Sequence, residues 1–480
     1  MTQVANLSRH RRDTSATWYT CDVAQLFLNR TAELRALERM WKAPDGQLAL
    51  VWGRRRTGKS YLLAHFARDR RAVFSTATEQ AADVELAAFS DRVREVLAPG
   101  PRDVLARGPF RTWDEALHYL ADAAVDEPLL VVLDEFSYLV ESTPALPSIV
   151  QRFWDTTGRA SRLRLVLCGS ATNVLEGLGA AHAPLFGRFT LRLQVHPFSF
   201  RDAAAFHPGL TPADQALVYG IVGGMPLYLR LWDPEASVEE NLLELFGEAH
   251  GPLVNEGELL LRTELPEAAG YFRLMAAIAD GHTKFSGIRD VARMDPTRGL
   301  ERLSMVRLVE RRAPVTEDLG QTRRRTHRIG DNFLTFWFRF VYPNRGEIER
   351  GLGPQVVASA VLPRLDAHMQ PVFEEMARDH VRNLAMAGEL PGVTRVGSWW
   401  SADGRTEVDV VALHDRRVVL AGEATWAGTV DRGALVRLRQ GLRLLPDDGD
   451  EAPLALFARD GFEGIRPEEA RLVTVEDLYR

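Results

Sequence analysis

The sequence predicts an α/β protein of several domains, led by a parallel sheet covered with helices. Three observations predict it. Apolar runs alternate with amphipathic segments from about residue 46 to 197, a glycine-bearing loop directly follows the first run, and a second block of strands and helices fills the end of the chain. Alternation of this kind suits βαβ units, in which each parallel strand is followed by a covering helix. At 480 residues the chain is also too long for one ordinary hydrophobic core.

Residues 1–25 read as a short mobile leader with no apolar run that could act as a signal core. Residues 26–197 hold the first sheet: QLALVW, RAVFST, PLLVVLD and LRLVLCGS read as buried strands, and YLLAHFARD and VELAAFSDRVREVL have helical spacing. Strand signals stop after FSF, and residues 198–260, with DQALVYGIVGG and ENLLELFGEA, read as a helical lid. In residues 261–345 three helical segments (AAGYFRLMAAIAD, SGIRDVARM, TRGLERLSMV) precede two strand-like runs, RLVERR and RRTHRI. Three helices and a β-ribbon make the winged-helix arrangement, and an aromatic helix, DNFLTFWFRFVYP, should then end at Pro343. Residues 346–480 carry a long helix around Phe373, three strands from 394 to 424, a helix near 431 to 444 and the strand LALFA.

Composition narrows the function classes. With 46% hydrophobic and 26% charged residues the chain is globular, and a net charge of -6 argues against wholesale coating of nucleic acid. Only three lysines occur, Lys42, Lys59 and Lys284, so chemistry needing an amine has few candidates. Cys21 and Cys168 form neither a disulfide framework nor a zinc spacing, which fits a reducing compartment, and Cys168 reads as a small core residue. No stretch reaches the ~20 apolar residues of a membrane helix, so a cytoplasmic protein with no membrane partner is expected.

GRRRTGKS, residues 53 to 60, lies between the strand LALVW and the helix YLLAHFA, the context a P-loop requires. In that reading the segment Gly53, Arg54, Arg55, Arg56, Thr57, Gly58, Lys59, Ser60 and Tyr61 holds ATP. Loop amides wrap the phosphates, Lys59 reaches the outer ones, and Ser60 ligates Mg2+ at the helix N-terminus. PLLVVLDEF supplies the second acidic half: Asp134 holds the ion, and Glu135 polarises the attacking water. These are Walker A and Walker B elements. The next strand ends in CGSATN, where Ser170, Thr172 or Asn173 can sense the γ-phosphate or cap a helix. Arg188 is either a γ-phosphate contact, in this subunit or a neighbour, or a surface arginine. Arg54, Arg55 and Arg56 meet phosphate or pair with Glu135 or another acid, and at least one should be solvated.

FLNRTAEL, GRRRTGKS, VVLDEF, LCGSAT, PLFGRF, GGMPLYL and IGDNFLTFWFRFVYPNR, with the Trp-Trp, Glu-Val-Asp and Gly-Glu segments near the end, resemble the archaeal-type ATPases of the AAA-like superfamily. That family carries a C-terminal DEXX-box domain of restriction-endonuclease type. The resemblance runs from about residue 26 to 430 and implies a P-loop NTPase core, a lid, a winged helix and a nuclease-like tail. It also makes Leu28 and Arg30 base or ribose candidates, beside the alternative of a plain helix start.

Residues 282 to 328 hold 12 basic and 6 acidic residues. Arg298, Arg302 and Arg307 on or beside the third helix, and Arg323, Arg324 and Arg325 at the start of the second strand, can meet DNA phosphates or lie on a solvated face. The last block resembles the PD-(D/E)XK nuclease fold, which uses carboxylates for metal and a lysine for water. Asp409 and Glu423 match the acids, with Glu374 as a third, but Thr425 stands where the lysine belongs. Arg405 or Arg432 in that role would be a poor proton manager. Trp399, Trp400 and Trp426 are either core residues or contacts for nucleic acid or a protein partner.

The function expected is a Mg2+-dependent ATPase whose nucleotide state switches the winged helix and nuclease-like region, with DNA, a protein partner or a second copy as companions. The alternatives are a non-hydrolysing ATP-gated sensor or scaffold, and an ATP-coupled metal-dependent DNA nuclease.

Overall fold

The near absence of polar residues from the first apolar runs follows from their place in the sheet. β1 (Gln47–Trp52), β2 (Ala72–Thr76), β3 (Leu129–Asp134), β4 (Leu163–Gly169) and β5 (Leu191–Gln194) lie in the order β2-β3-β4-β1-β5, with every neighbouring pair parallel. Along β3, Leu129, Val131 and Leu133 join one core with Leu117 and Phe153, while Leu130 and Val132 join another with Leu62, Leu63 and Phe66. A strand covered on both faces has no solvent side for polar residues. This is the P-loop NTPase fold, and the computed structural model describes residues 27–101, 103–170, 177–178, 183–265, 269–445 and 452–480. The leader and Cys21 lie outside the described residues.

Helices Phe200–Ala204, Pro212–Val222, Pro226–Leu231, Val238–Leu242 and Glu256–Glu264 follow the sheet. They share one hydrophobic core with helices Ala269–Ala279, Phe285–Ala292 and Thr297–Met305 and with the aromatic segment. Phe333, Phe336, Trp337 and Phe340 are fully buried there, and the Trp337 indole N–H donates to the Val254 carbonyl at 2.8 Å. The helical path does not stop at Pro343. After the α-turn Asn332–Phe336 it widens to a π-turn over Trp337–Val341, tightens over Tyr342–Asn344, and resumes as helix Arg345–Glu349. Proline lacks an N–H only where a new turn begins and needs none, so the path bends without breaking.

β6 (Val309–Arg312) and β7 (Thr326–Ile329) form an antiparallel ribbon. The loop between them lies on the last sheet: the Val315 amide donates to Ser398 O at 2.9 Å, and Arg324 donates to Trp400 O at 2.6 Å. That separate C-terminal sheet is mixed, in the order β12-β11-β10-β9-β8. β8 (Arg395–Trp400), β9 (Glu407–His414) and β10 (Arg417–Thr425) are antiparallel, whereas β11 (Leu454–Ala458) and β12 (Arg471–Thr474) extend β10 in parallel. Helix Leu365–Met386 covers one face and helix Arg432–Leu442 the other. β5 and β12, four residues each, are absent from the expected strands. No helix among the described residues is long and apolar enough to cross a membrane.

Candidate functional site

The loop after β1 owes its path to two glycines. Gly53 has φ +155, and a Cβ there would stand 2.2 Å from the Val195 carbonyl oxygen; Gly58 has φ +87 and opens helix Lys59–Ala67. No acidic side chain occupies the first turn of that helix, so its free amides face an anion-ready loop. Leu62, Leu63 and Phe66 are buried beneath it, each fixing the helix by about 1.5–3 kcal/mol. Lys59 is drawn inside: its Nζ donates to the Arg54 carbonyl at 2.9 Å, and the Thr57 hydroxyl donates to the same oxygen at 2.9 Å. Burial lowers the Lys59 pKa, opposed by the Cys168 thiol and the carboxyls of Glu135, Asp134 and Glu264.

Because all five strands are parallel, the ends of β1, β3 and β4 meet at one edge of the sheet, with β4 between the other two. Asp134 closes β3 and is buried, and neither of its oxygens accepts an N–H or O–H bond among the described residues. The Cys168 thiol of β4 lies against it and the Lys59 ammonium acts on it, and burial together with Asp134 pushes that thiol well up. A buried carboxylate that meets only a weak thiol donor is costly unless a cation or water joins it, so the site fits a hard divalent ion. Glu135 stands next in a left-handed backbone conformation, φ 52 and ψ 45. The Ser170 hydroxyl, from the end of β4, donates to its two oxygens at 3.4 and 3.2 Å. Ser170 thus touches Glu135 directly, while Thr172 and Asn173 lie outside the described residues.

The three loop arginines are held by acids and hydroxyls far along the chain. Arg54 pairs with Asp331 at 2.7 Å, Arg56 pairs with Glu256 at 2.6 Å, and Arg55 reaches the Thr263 hydroxyl at 3.5 Å. All three are partly exposed, the Arg55 bond lies at the surface, and none pairs with Glu135 among the described residues. Tyr228, which follows GGMP, donates its hydroxyl to Glu256 at 2.5 Å. Arg30 is not free for a base or ribose: it donates to the Thr57 carbonyl at 2.8 Å, pairs with Glu33 at 2.9 Å and covers the Phe198 ring. Leu28 is half-buried, and Tyr61 stacks with Phe27 and lies under Arg230. Arg188 spends its guanidinium on Asp155, at 2.6 to 3.1 Å, and on the carbonyls of Pro184 and Phe186. That geometry makes it a surface ion pair in this subunit.

In the C-terminal sheet Asp409 and Glu423 lie on neighbouring strands, with Glu374 on the helix above. Asp409 is pushed well up by burial and by Glu374 and Glu423; burial raises Glu423 to about 7 against the pull of Arg437. One Asp409 oxygen accepts the Ala424 amide at 2.9 Å. No three ligating side chains among the described residues converge as a metal cluster, which corrects the expected grouping of Asp409, Glu423 and Glu374. Neither Arg405 nor Arg432 takes the missing lysine's place: Arg405 is exposed and Arg432 pairs with Glu469 at 2.8 Å. The buried cation here is Arg378, bonded to the Asp409 carbonyl at 2.7 Å and 3.9 Å from Glu374. Trp399 and Trp426 are core residues; Trp400 is half-buried.

Asp331, Glu256, Tyr228 and Arg378 escaped sequence reasoning. Asp331 alone left a signal, since Asp before an apolar run is a helix cap, and its carboxylate does accept the Leu334 amide at 2.9 Å.

Residues 27–231 match a family model described as an ATPase domain predominantly from Archaea, and residues 337–434 match one described as archaeal and bacterial proteins of unknown function. An uncharacterized protein of Methanocaldococcus jannaschii is 26% identical over 418 residues, 85% of this chain and 89% of that protein. An uncharacterized ATP-binding protein of the same organism is 39% identical over 46 residues, 10% of this chain and 78% of that protein. Among solved structures, the chain is similar to a Walker-type ATPase of Pyrococcus abyssi at 22% identity and a TM-score of 0.48, covering 65% of this chain and 96% of that one. It is also similar to the ORC2 protein of Aeropyrum pernix in its ADPNP and ADP complexes, at 13% identity and a TM-score of 0.42, covering 69% and 96%.

Proposed function

We propose, for a chain whose residues 27–231 match the model of an ATPase domain found predominantly in Archaea, that it binds ATP with Mg2+ and hydrolyses it, and that the nucleotide state is passed to the C-terminal half. The observation that carries this reading is the meeting of a buried Lys59, an unsatisfied Asp134 and a Ser170-tethered Glu135 at one sheet edge. On binding, the amides of residues 53 to 61 take the phosphate oxygens, and Lys59 exchanges the Arg54 carbonyl for the outer phosphates. Ser60 and Asp134 would hold Mg2+, whose charge offsets that of the phosphates. Ser170 orients Glu135, and Glu135 takes the proton of the water that attacks the γ-phosphorus while ADP leaves.

Single-turnover hydrolysis tests the reading. Lys59→Ala should abolish nucleotide binding, while Glu135→Gln should bind ATP and retain it. If wild type and Glu135→Gln are equally inert although both bind ATP, the non-hydrolysing sensor is the correct function.

The three helices and ribbon we read as a winged helix, and the last sheet as a nuclease-like scaffold without strong cutting activity. Two observations support this: Asp409 and Glu423 lie on neighbouring strands and both are pushed up, by burial first and with Glu374 and Glu407 adding to each, yet Thr425 and Arg378 supply no titrating amine. Plasmid cleavage with Mg2+ or Mn2+ that is lost in Asp409→Ala would establish a nuclease instead.

A further inference from the structure

We propose that the arginines of the phosphate loop form a nucleotide-operated latch: triphosphate oxygens compete with Asp331 for Arg54 and with Glu256 for Arg56, and their binding frees the first turn of the aromatic helix. This rests on the nucleotide reading above and names how the bound state is passed on.

Asp331 has two tasks. One carboxylate oxygen accepts the Leu334 amide at 2.9 Å and so caps the aromatic helix, and the other accepts Arg54 at 2.7 Å. Both partners are shielded, with side-chain exposures of 14% for Arg54 and 4% for Asp331, so their mutual attraction is little screened by solvent. Arg54 is adjacent to the loop atoms that wrap a phosphate, and its carbonyl already holds Lys59. Its Nη2 is buried with no acceptor among the described residues, a spare donor beside the place where an anion arrives. A guanidinium binds phosphate oxygens through two parallel N–H groups, a stronger claim than the single bond Arg54 makes to Asp331.

The two arms differ in what they release. When Arg56 leaves, Glu256 keeps the Tyr228 hydroxyl at 2.5 Å, and burial has already raised its pKa, so it can take up a proton in place. When Arg54 leaves, Asp331 keeps only the Leu334 amide inside a buried setting. A carboxylate left so exposed to low dielectric seeks water, and the first helical turn opens to provide it. That turn begins the segment whose Phe336 and Trp337 anchor the shared helical core, so its opening reaches the elements that carry the C-terminal sheet.

Hydrogen exchange of amides 332 to 336 and calorimetry with AMP-PNP and Mg2+ test the latch on the full chain. In wild type the analogue should speed exchange there roughly tenfold. Asp331→Asn, which keeps a capping side chain but no charge to be stranded, should exchange slowly with or without nucleotide and bind the analogue about five- to tenfold tighter, because the competitor for Arg54 is gone. Glu256→Gln should also bind more tightly, yet keep the nucleotide response at 332 to 336. Binding heat in wild type without any change in exchange overturns the latch alone, as does wild-type affinity in Asp331→Asn. Should that variant not fold, unchanged affinity in Glu256→Gln does the same. Absence of binding heat in wild type overturns the nucleotide reading and the latch together.

Discussion

Glu135 pays for its position with backbone strain. A glutamate at φ 52 and ψ 45 sits where a Cβ is disfavoured by about 1–2 kcal/mol, and it is kept there between Asp134 and the Ser170 hydroxyl. Asparagine tolerates that conformation better but cannot accept a proton. Glu135→Asn should therefore raise the melting temperature by a few degrees while lowering turnover about 10²-fold or more, measured by calorimetry and phosphate release. Ser170→Ala should keep ATP affinity and lose roughly tenfold in turnover, since only the orientation of Glu135 suffers. The loop residues were legible because they are contiguous and their geometry is set by glycines inside the motif. The partners of Arg54 and Arg56 were not, because Asp331 lies 277 positions away from Arg54 and nothing local announces the pairing. At Glu423 the proton affinity sets a pH dependence. Its folded pKa of about 7 exceeds the ordinary carboxyl value of 4.5, so the native state binds the extra proton and stability falls as pH rises from about 4.5 through 7. Glu423→Gln should be more stable than wild type at pH 8 by about 1–3 kcal/mol and nearly equal below pH 4.5, in urea titrations with EDTA present.

Among the elements, the ribbon loop departs most from its expected use. Arg324, one of six arginines expected to meet DNA phosphates or lie on a solvated face, is bonded to the Trp400 carbonyl and ion-paired with Glu317, and Arg325 donates to the Gly320 carbonyl. The loop fastens the ribbon to the edge of the last sheet, which also protects β8 from pairing with another chain. Arg298 and Arg323 remain exposed, and Arg302 is half-buried on the same helix as Arg298. If this unit meets DNA phosphates, Arg298→Ala and Arg323→Ala should each lower the slope of log affinity against log salt by about 1 in fluorescence anisotropy, whereas Arg324→Ala should leave it unchanged. An unchanged slope in all three variants would remove DNA from this surface. The sequence revealed the three helices and both strands of the ribbon by their periodicity, but it held no sign of where the intervening loop would dock. It also missed β5 and β12 because four-residue strands beside long parallel neighbours give too few positions for a pattern to register.

At the scale of the molecule, one carboxylate gathers the charges at the junction between the C-terminal sheet and the helical half. Glu375 on the long helix faces Arg312 at 2.7 Å and Arg328 at 3.1 Å from the ribbon, and Arg378 at 3.0 Å and Arg382 at 2.9 Å from its own helix. Burial works to raise its pKa, but the four guanidinium groups overcome this and hold it well below the usual carboxylate range. Burial and the neighbouring Arg312 in turn lower Arg328 to about 10, so the cations depend on this acid as much as it does on them. The depressed carboxyl stabilises the folded chain at neutral pH, and that contribution is lost as pH falls below the ordinary carboxyl value toward its folded pKa. Glu375→Gln keeps the shape and removes the charge, leaving the half-buried Arg312 and Arg328 without their main partner. We expect a loss of about 2–4 kcal/mol, confined to the junction. Scanning calorimetry should then show the last sheet melting apart from the ATPase core, where wild type melts the two together; a single transition in the variant would mean that the hydrophobic contacts between the long helix and Phe200 and Ala216 already suffice to join them.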